Sequence, residues 1–174
     1  MINMKRIVIL FVSALFFVSL SAQSIAGVSF GSSYESAKAS LINKWGKPAR
    51  IDNNSIAFDY VSYANLSFDN VIFGFQRDNN GKSYMNRCIF VKHAKDRDEA
   101  LEAMEQFHFV LQKKYLIYRV GEYDEDFYYY GGNSPLGDDK DLFLIDYIKY
   151  TDDAGGGYGA RIYYGPFEYV KEEF

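Results

Sequence analysis

The chain has one cysteine, Cys88, which excludes an internal disulfide and a cysteine-built zinc site. Proline is scarce, with three residues, and charged residues make up an ordinary 24%. Together with an aromatic content of 18%, this excludes a disordered or collagen-like chain. An excess of basic residues is also missing. The formal charge is −4 at pH 7, and it becomes more negative once Lys5 and Arg6 leave with an N-terminal leader. That balance excludes a nucleic-acid partner, which needs a basic footprint, and docking on an anionic membrane surface. No apolar run is long enough to cross a bilayer. Ile7–Leu20 is 14 residues, against the roughly 20 that a spanning helix requires.

What is present begins with that run. Lys5 and Arg6 form a short basic region ahead of it, so residues 1–26 read as a removable signal peptide. Ser24-Ile25-Ala26 supplies small residues at −3 and −1 for cleavage before Gly27, and Ala22-Gln23-Ser24 offers a second site. No cysteine directly follows the apolar core, which closes the lipoprotein route. The mature protein is therefore expected free in a periplasm or outside the cell, with no membrane contact after cleavage. Residues 27–174 suit one domain with a sizeable core.

Ser32 and Glu35 form a capping box ahead of Tyr34, Ala37, Leu41 and Trp45 at helical spacing, and Gly46 and Pro48 end the pattern. This predicts a helix over about residues 33–45. A β-prone stretch Ile56–Tyr63 follows, with unsorted faces, and then Asn65–Arg77 and Ser83–His93 flank Asn79-Asn80-Gly81. Asn-Gly is a strong hairpin signal. A two-residue turn there sets Phe75 opposite Asn86, Phe73 opposite Cys88 and Val71 opposite Phe90, all on one face. Asp96 or Asp98 caps a second helix to about Lys114, with Leu101, Met104, His108, Leu111 and Tyr115 in one row, widened by Ala100, Ala103, Phe107 and Val110. Then come Leu116–Tyr123, Phe127–Tyr130, a loop Gly131–Asp141, strand Leu142–Tyr150, a turn at 152–156 and strand Gly157–Tyr164.

Helix then strands, twice, predicts an α+β fold of two helix-then-antiparallel-strand halves, with helices packed on one face of a mainly antiparallel sheet. Leu41-x-x-Lys44-Trp45 with Arg50-Ile51 echoes Leu111-x-x-Lys114-Tyr115 with Arg119-Val120, which marks 27–95 and 96–174 as candidate pseudo-repeat halves.

Ser32, Ala37, Leu41, Gly46 and Pro48, in a helix followed by Gly-x-Pro and strands behind a signal peptide, carry a resemblance. The chain resembles the small periplasmic modules of the β-lactamase-inhibitor-protein-like fold, to which the outer-membrane assembly lipoproteins of the SmpA/OmlA type belong. It departs from those lipoproteins in lacking the acylated cysteine. It is also similar in style to small secreted proteins of gut-type bacteria. The resemblance implies protein binding rather than catalysis.

Chemistry-bearing residues are few. His93 and His108 are the only histidines. Cys88 and His93, five apart on one predicted strand, point to opposite faces and form no direct dyad. Cys88 and His108 can meet only where strand and helix pack, and a core cysteine is a poor nucleophile because apolar burial raises its pKa. There is no Ser-x-x-Lys and no phosphate-cradling glycine loop. Two acidic patches, Glu122, Asp124, Glu125, Asp126 and Asp138, Asp139, Asp141, lack the alternating spacing of a calcium loop, and no metal or cofactor is assigned. Carboxylates paired across these 122–141 loops would make an exported hydrolase, the alternative to a binding protein.

Tyrosine is the distinctive residue, and β-propensity explains most of the 16. Tyr128-Tyr129-Tyr130 is different, since consecutive strand residues alternate in direction and at least one must leave the core. These three, with Asp124, Asp126, Asp138 and Asp139 as acidic neighbours, form the predicted binding surface of a non-enzymatic module for a protein or glycan partner.

Overall fold

Ser33 starts the first helix. Its Oγ accepts the Ser36 amide at 3.3 Å, and α1 runs Tyr34–Trp45 until Gly46 adopts φ 78° and ends it. The cap is not Ser32, whose carbonyl instead accepts the Met85 amide at 2.8 Å and ties the chain to the sheet. The second helix, α2, is Arg97–Leu111. Asp96 caps it by accepting the Glu99 amide at 2.9 Å, and Glu99 accepts the Lys95 amide at 3.0 Å in return. Ala100, Ala103, Met104 and Phe107 form its buried stripe, with Leu101 and Leu111 at the margins. This computed structural model describes residues 23–121, 127–136, 140–151 and 156–167.

The strands are β1 (Ser24–Ile25), β2 (Val28–Ser29), β3 (Arg50–Asp52), β4 (Ser55–Tyr63), β5 (Leu66–Arg77), β6 (Ser83–Ala94), β7 (Ile117–Val120), β8 (Tyr128–Asn133), β9 (Asp141–Lys149) and β10 (Tyr158–Tyr164). β1 and β2 make a small hairpin. The other eight form one antiparallel sheet in the order β3-β4-β5-β6-β10-β9-β8-β7.

This corrects the α+β expectation of two helix-then-strand halves. About 50% of the described residues lie in strands and 20% in helices, and the continuous eight-stranded sheet dominates. The reason lies at the centre. β6 and β10 pair from Tyr158↔Ala94 to Tyr164↔Cys88, so the strands of the expected halves share a ladder. Left apart, each would expose a long edge of unpaired amides and carbonyls. α2 crosses this seam, packing on β6, β9 and β10, and the buried side chains form one hydrophobic cluster rather than two.

Two further expectations shift in register and extent. Phe73 faces Cys88 and Val71 faces Phe90, but Phe75 pairs with Met85 instead of Asn86. The turn uses one residue more than a two-residue loop: the Asp78 amide donates to the Lys82 carbonyl, and Asp78 Oδ1 accepts the Asn80 and Lys82 amides at 2.9 and 2.8 Å. A bulge at Gly74/Phe75 restores the register, leaving Asn86 as the extra residue. Asn86 is held there by its bond to Gln76 Oε1 at 2.8 Å and by the Phe167 amide on its carbonyl at 2.9 Å. The predicted loop at Gly131 is strand instead, since β8 continues to Asn133. Gly131 permits this: a Cβ there would lie 2.3 Å from the Leu116 carbonyl oxygen.

β4 shows why its faces look unsorted in sequence. Ile56 and Phe58 face inward, Tyr60 takes φ 54°, and Val61 then occupies the buried side.

Candidate functional site

Along β8 the three tyrosines separate. Tyr129 is buried at 5% exposure, with its ring stacked on His108 at 4.3 Å and its hydroxyl donating to Glu105 at 2.5 Å. His108 Nδ1 lies 3.7 Å from Glu105, so the helix α2 pair holds this tyrosine from above. Tyr128 and Tyr130 point to the opposite face, where Tyr128 is 39% exposed and Tyr130 half-buried.

That opposite face carries a continuous cross-strand row. Tyr118 pairs with Tyr130, Tyr130 with Leu144, and Leu144 with Tyr163. The row continues through Ile89 on β6, Ile72 on β5 and Ala57 on β4. It thus crosses seven strands of the sheet on the side away from α2. At its β7 end Tyr118 is 49% exposed and stacks on Tyr130 at 5.4 Å and 27°. Tyr128 stands 6.3 Å from Tyr130. Between them lies a shallow depression of ≈ 420 Å³, lined by Val120, Tyr128, Tyr130, Asp141, Leu144 and Tyr163.

Beside the row, Arg161 and Asp146 form a forked pair, Nε–Oδ1 at 2.6 Å and Nη2–Oδ2 at 2.7 Å. The Asp146 hydrogen bond raises the Arg161 pKa further, against the opposing effect of burial, so this cation is permanent. Arg161 also lies over the Tyr163 ring at 5.6 Å. Further along the same face, His93 Nε2 donates to Asn70 Oδ1 at 2.9 Å, Asn70 Nδ2 donates to Asp59 at 2.7 Å, and the His93 ring meets Tyr150 at 5.3 Å. Burial raises the Tyr150 phenol.

Of the predicted acidic neighbours, Asp124, Asp126, Asp138 and Asp139 lie outside the described residues, as do Glu122 and Glu125. Asp141 is described: it opens β9 opposite Asn133 and reaches the depression. Cys88 sits at the opposite side of the sheet from the row, fully buried between Phe73 and Tyr164 in register, and burial pushes its thiol well above the ordinary value. It holds no thiolate for chemistry. Among the described residues no three His, Cys, Asp or Glu side chains gather as a metal site would need.

No family model, curated protein or solved structure matches this chain.

Sequence reasoning reached Tyr128 and Tyr130 but missed Tyr118, Leu144, Tyr163, Ile89 and Ile72. Their signal is alternation: each is one step out of phase with a core residue, such as Ile145 beside Leu144 or Ile162 beside Tyr163. Only the register aligns them.

Proposed function

We propose that the protein is an exported, non-enzymatic binding module that takes a protein or glycan partner on the open aromatic face of β7, β8, β9 and β10. The observation that carries this reading is the row Tyr118–Tyr130–Leu144–Tyr163, with exposed Tyr128 beside it and a shallow depression among them. Tyrosine brings a large flat contact area at low entropic cost, which suits sugar faces and protein anchors. The sheet holds these rings rigid before a partner arrives, which lowers the ordering cost of association. The formal charge of −4 favours a neutral or basic partner over an anionic one. The resemblance to β-lactamase-inhibitor-protein-like modules points to the same class of activity, and the leader-like N-terminus supports export.

A hydrolase reading gains no support from the depression. Among the described residues, Asp141 is the one carboxylate lining it, whereas glycosidic hydrolysis needs a facing pair.

The test is a glycan array and a pull-down with wild type and a Tyr118→Ala/Tyr128→Ala/Tyr130→Ala variant, each checked by thermal unfolding. Loss of about 1–3 kcal/mol of binding free energy with a retained fold is expected. A variant that binds like wild type overturns the reading.

A further inference from the structure

The N-terminal hairpin belongs to the core, and it overlaps the leader expected over residues 1–26. β1 and β2 pair Ser24↔Ser29 and Ile25↔Val28. Ile25, Ala26, Val28 and Phe30 are each 5% exposed or less and join the main hydrophobic cluster. The Ala26 amide donates to the Tyr63 hydroxyl at 3.4 Å, and the Phe30 amide donates to the Gln23 carbonyl at 3.3 Å. Phe30 meets Phe167 edge-on at 4.8 Å, and the next amide, Gly31, donates to the Met85 carbonyl at 2.8 Å.

Cleavage before Gly27 would remove all of β1 and two core side chains, leaving Val28 without its strand partner. Cleavage after Ser24 would cut through β1 itself. Both sequence-derived cuts therefore remove or split residues that the mature core uses, and a mature chain that keeps its full core must begin ahead of β1. Ahead of the hairpin the last alanine is Ala22, which supplies the small residue at −1, with the apolar Leu20 rather than a small residue at −3, directly after the apolar run.

We infer that the leader is cut between Ala22 and Gln23, so that the mature protein begins at Gln23 with the β1–β2 hairpin intact. This rests on the export reading above. The cut is a hydrolysis: water supplies the oxygen of the new Ala22 carboxylate, and the amide nitrogen of Gln23 leaves as an amine that is protonated at neutral pH. That ammonium arises on Gln23, whose side-chain Oε1 is buried without a hydrogen-bond partner among the described residues.

The experiment is expression of the full chain in a bacterium with a periplasm, followed by intact-mass measurement of the exported protein. A mass beginning at Gln23 is expected. Ala22→Leu should block processing and accumulate the full-length chain, whereas Ala26→Leu should still be cut at the same bond. A mass beginning at Ile25 or Gly27, or processing that fails with Ala26→Leu but survives Ala22→Leu, overturns the boundary while leaving export standing. A chain retained in the cytoplasm with all its residues overturns export, and the boundary with it.

Discussion

Tyr118 stacks on Tyr130 across β7 and β8, with ring centroids 5.4 Å apart and planes at 27°. Tyr129, one residue away on the same strand, is turned through the sheet onto His108. One strand thus divides its tyrosines between a surface role and a packing role, and substitutions separate the two.

Tyr128→Ala should change stability by about 0.5 kcal/mol or less, as exposed positions do, and Tyr118→Ala by about 0.5–1.5 kcal/mol, the worth of its stacked pair with Tyr130. Tyr129→Ala should cost about 3–5 kcal/mol as a buried aromatic truncation. Tyr129→Phe keeps the stacking on His108 but leaves Glu105 without the hydroxyl, at about 1–2 kcal/mol. Denaturant unfolding of the four variants checks the order. An equal loss at Tyr128 and Tyr129 would contradict the division.

The pair Arg161–Asp146 should tolerate charge conservation poorly. Both side chains are largely shielded, at 30% and 17% exposure, and the two bonds form a fork that an ammonium cannot reproduce. Arg161→Ala should destabilise by about 1–3 kcal/mol, the range for hydrogen bonds to charged groups. Arg161→Lys should recover only part of that loss. Urea midpoints at neutral pH, compared at constant slope, provide the measurement.

Cys88 predicts an alkaline loss of stability. Its folded-state pKa is raised by burial, so the folded thiol stays protonated at pH values where the unfolded thiol ionises. The unfolded state then binds fewer protons, and stability falls as pH rises above the ordinary thiol value of about 8.5. The contribution is fully present below that pH. Cys88→Ala should flatten this part of the stability-against-pH curve while costing about 1 kcal/mol at neutral pH as a small cavity. Tyr164, also raised well above its usual value by burial, extends the same downward slope at higher pH in both proteins. Native-state labelling by a thiol reagent should be slow and become fast on unfolding.

Gly131→Ala should loosen the β7 edge. The added methyl would sit 2.3 Å from the Leu116 carbonyl oxygen, a backbone atom that moves only with β7. A destabilisation of about 1–3 kcal/mol is expected, as for overpacking. Hydrogen exchange should show lost protection confined to β7 and β8, and protection lost first at β3 or β4 would refute the mechanism.

The helices were legible because their signals are local. Apolar spacing, Asp96 as cap, Gly46 and Pro48 as a stop all act within a few residues of where they are read. Capping was less so at α1: Ser32 and Ser33 both offer a hydroxyl, and the Ser33 hydroxyl takes the Ser36 amide while the Ser32 backbone pairs with Met85 on the sheet. The hairpin of β5 and β6 shows the same limit. Asn-Gly marks the turn, but the Asp78 side chain enlarges it and the Asn86 bulge absorbs the difference.

What the sequence by itself determined is the inventory of amphipathic pieces: two capped helices, the alternating strands Asn65–Arg77 and Ser83–His93, and a tyrosine run that no single core can absorb. Tertiary structure alone decided how those pieces join. The β6–β10 ladder makes one sheet of them, places Tyr118, Tyr130, Leu144 and Tyr163 in a single row, and folds Ile25 and Ala26 into the core. The reason is physical. Periodicity and caps depend on neighbours along the chain, whereas strand order and cross-strand register depend on hydrogen bonds between residues as distant as Cys88 and Tyr164.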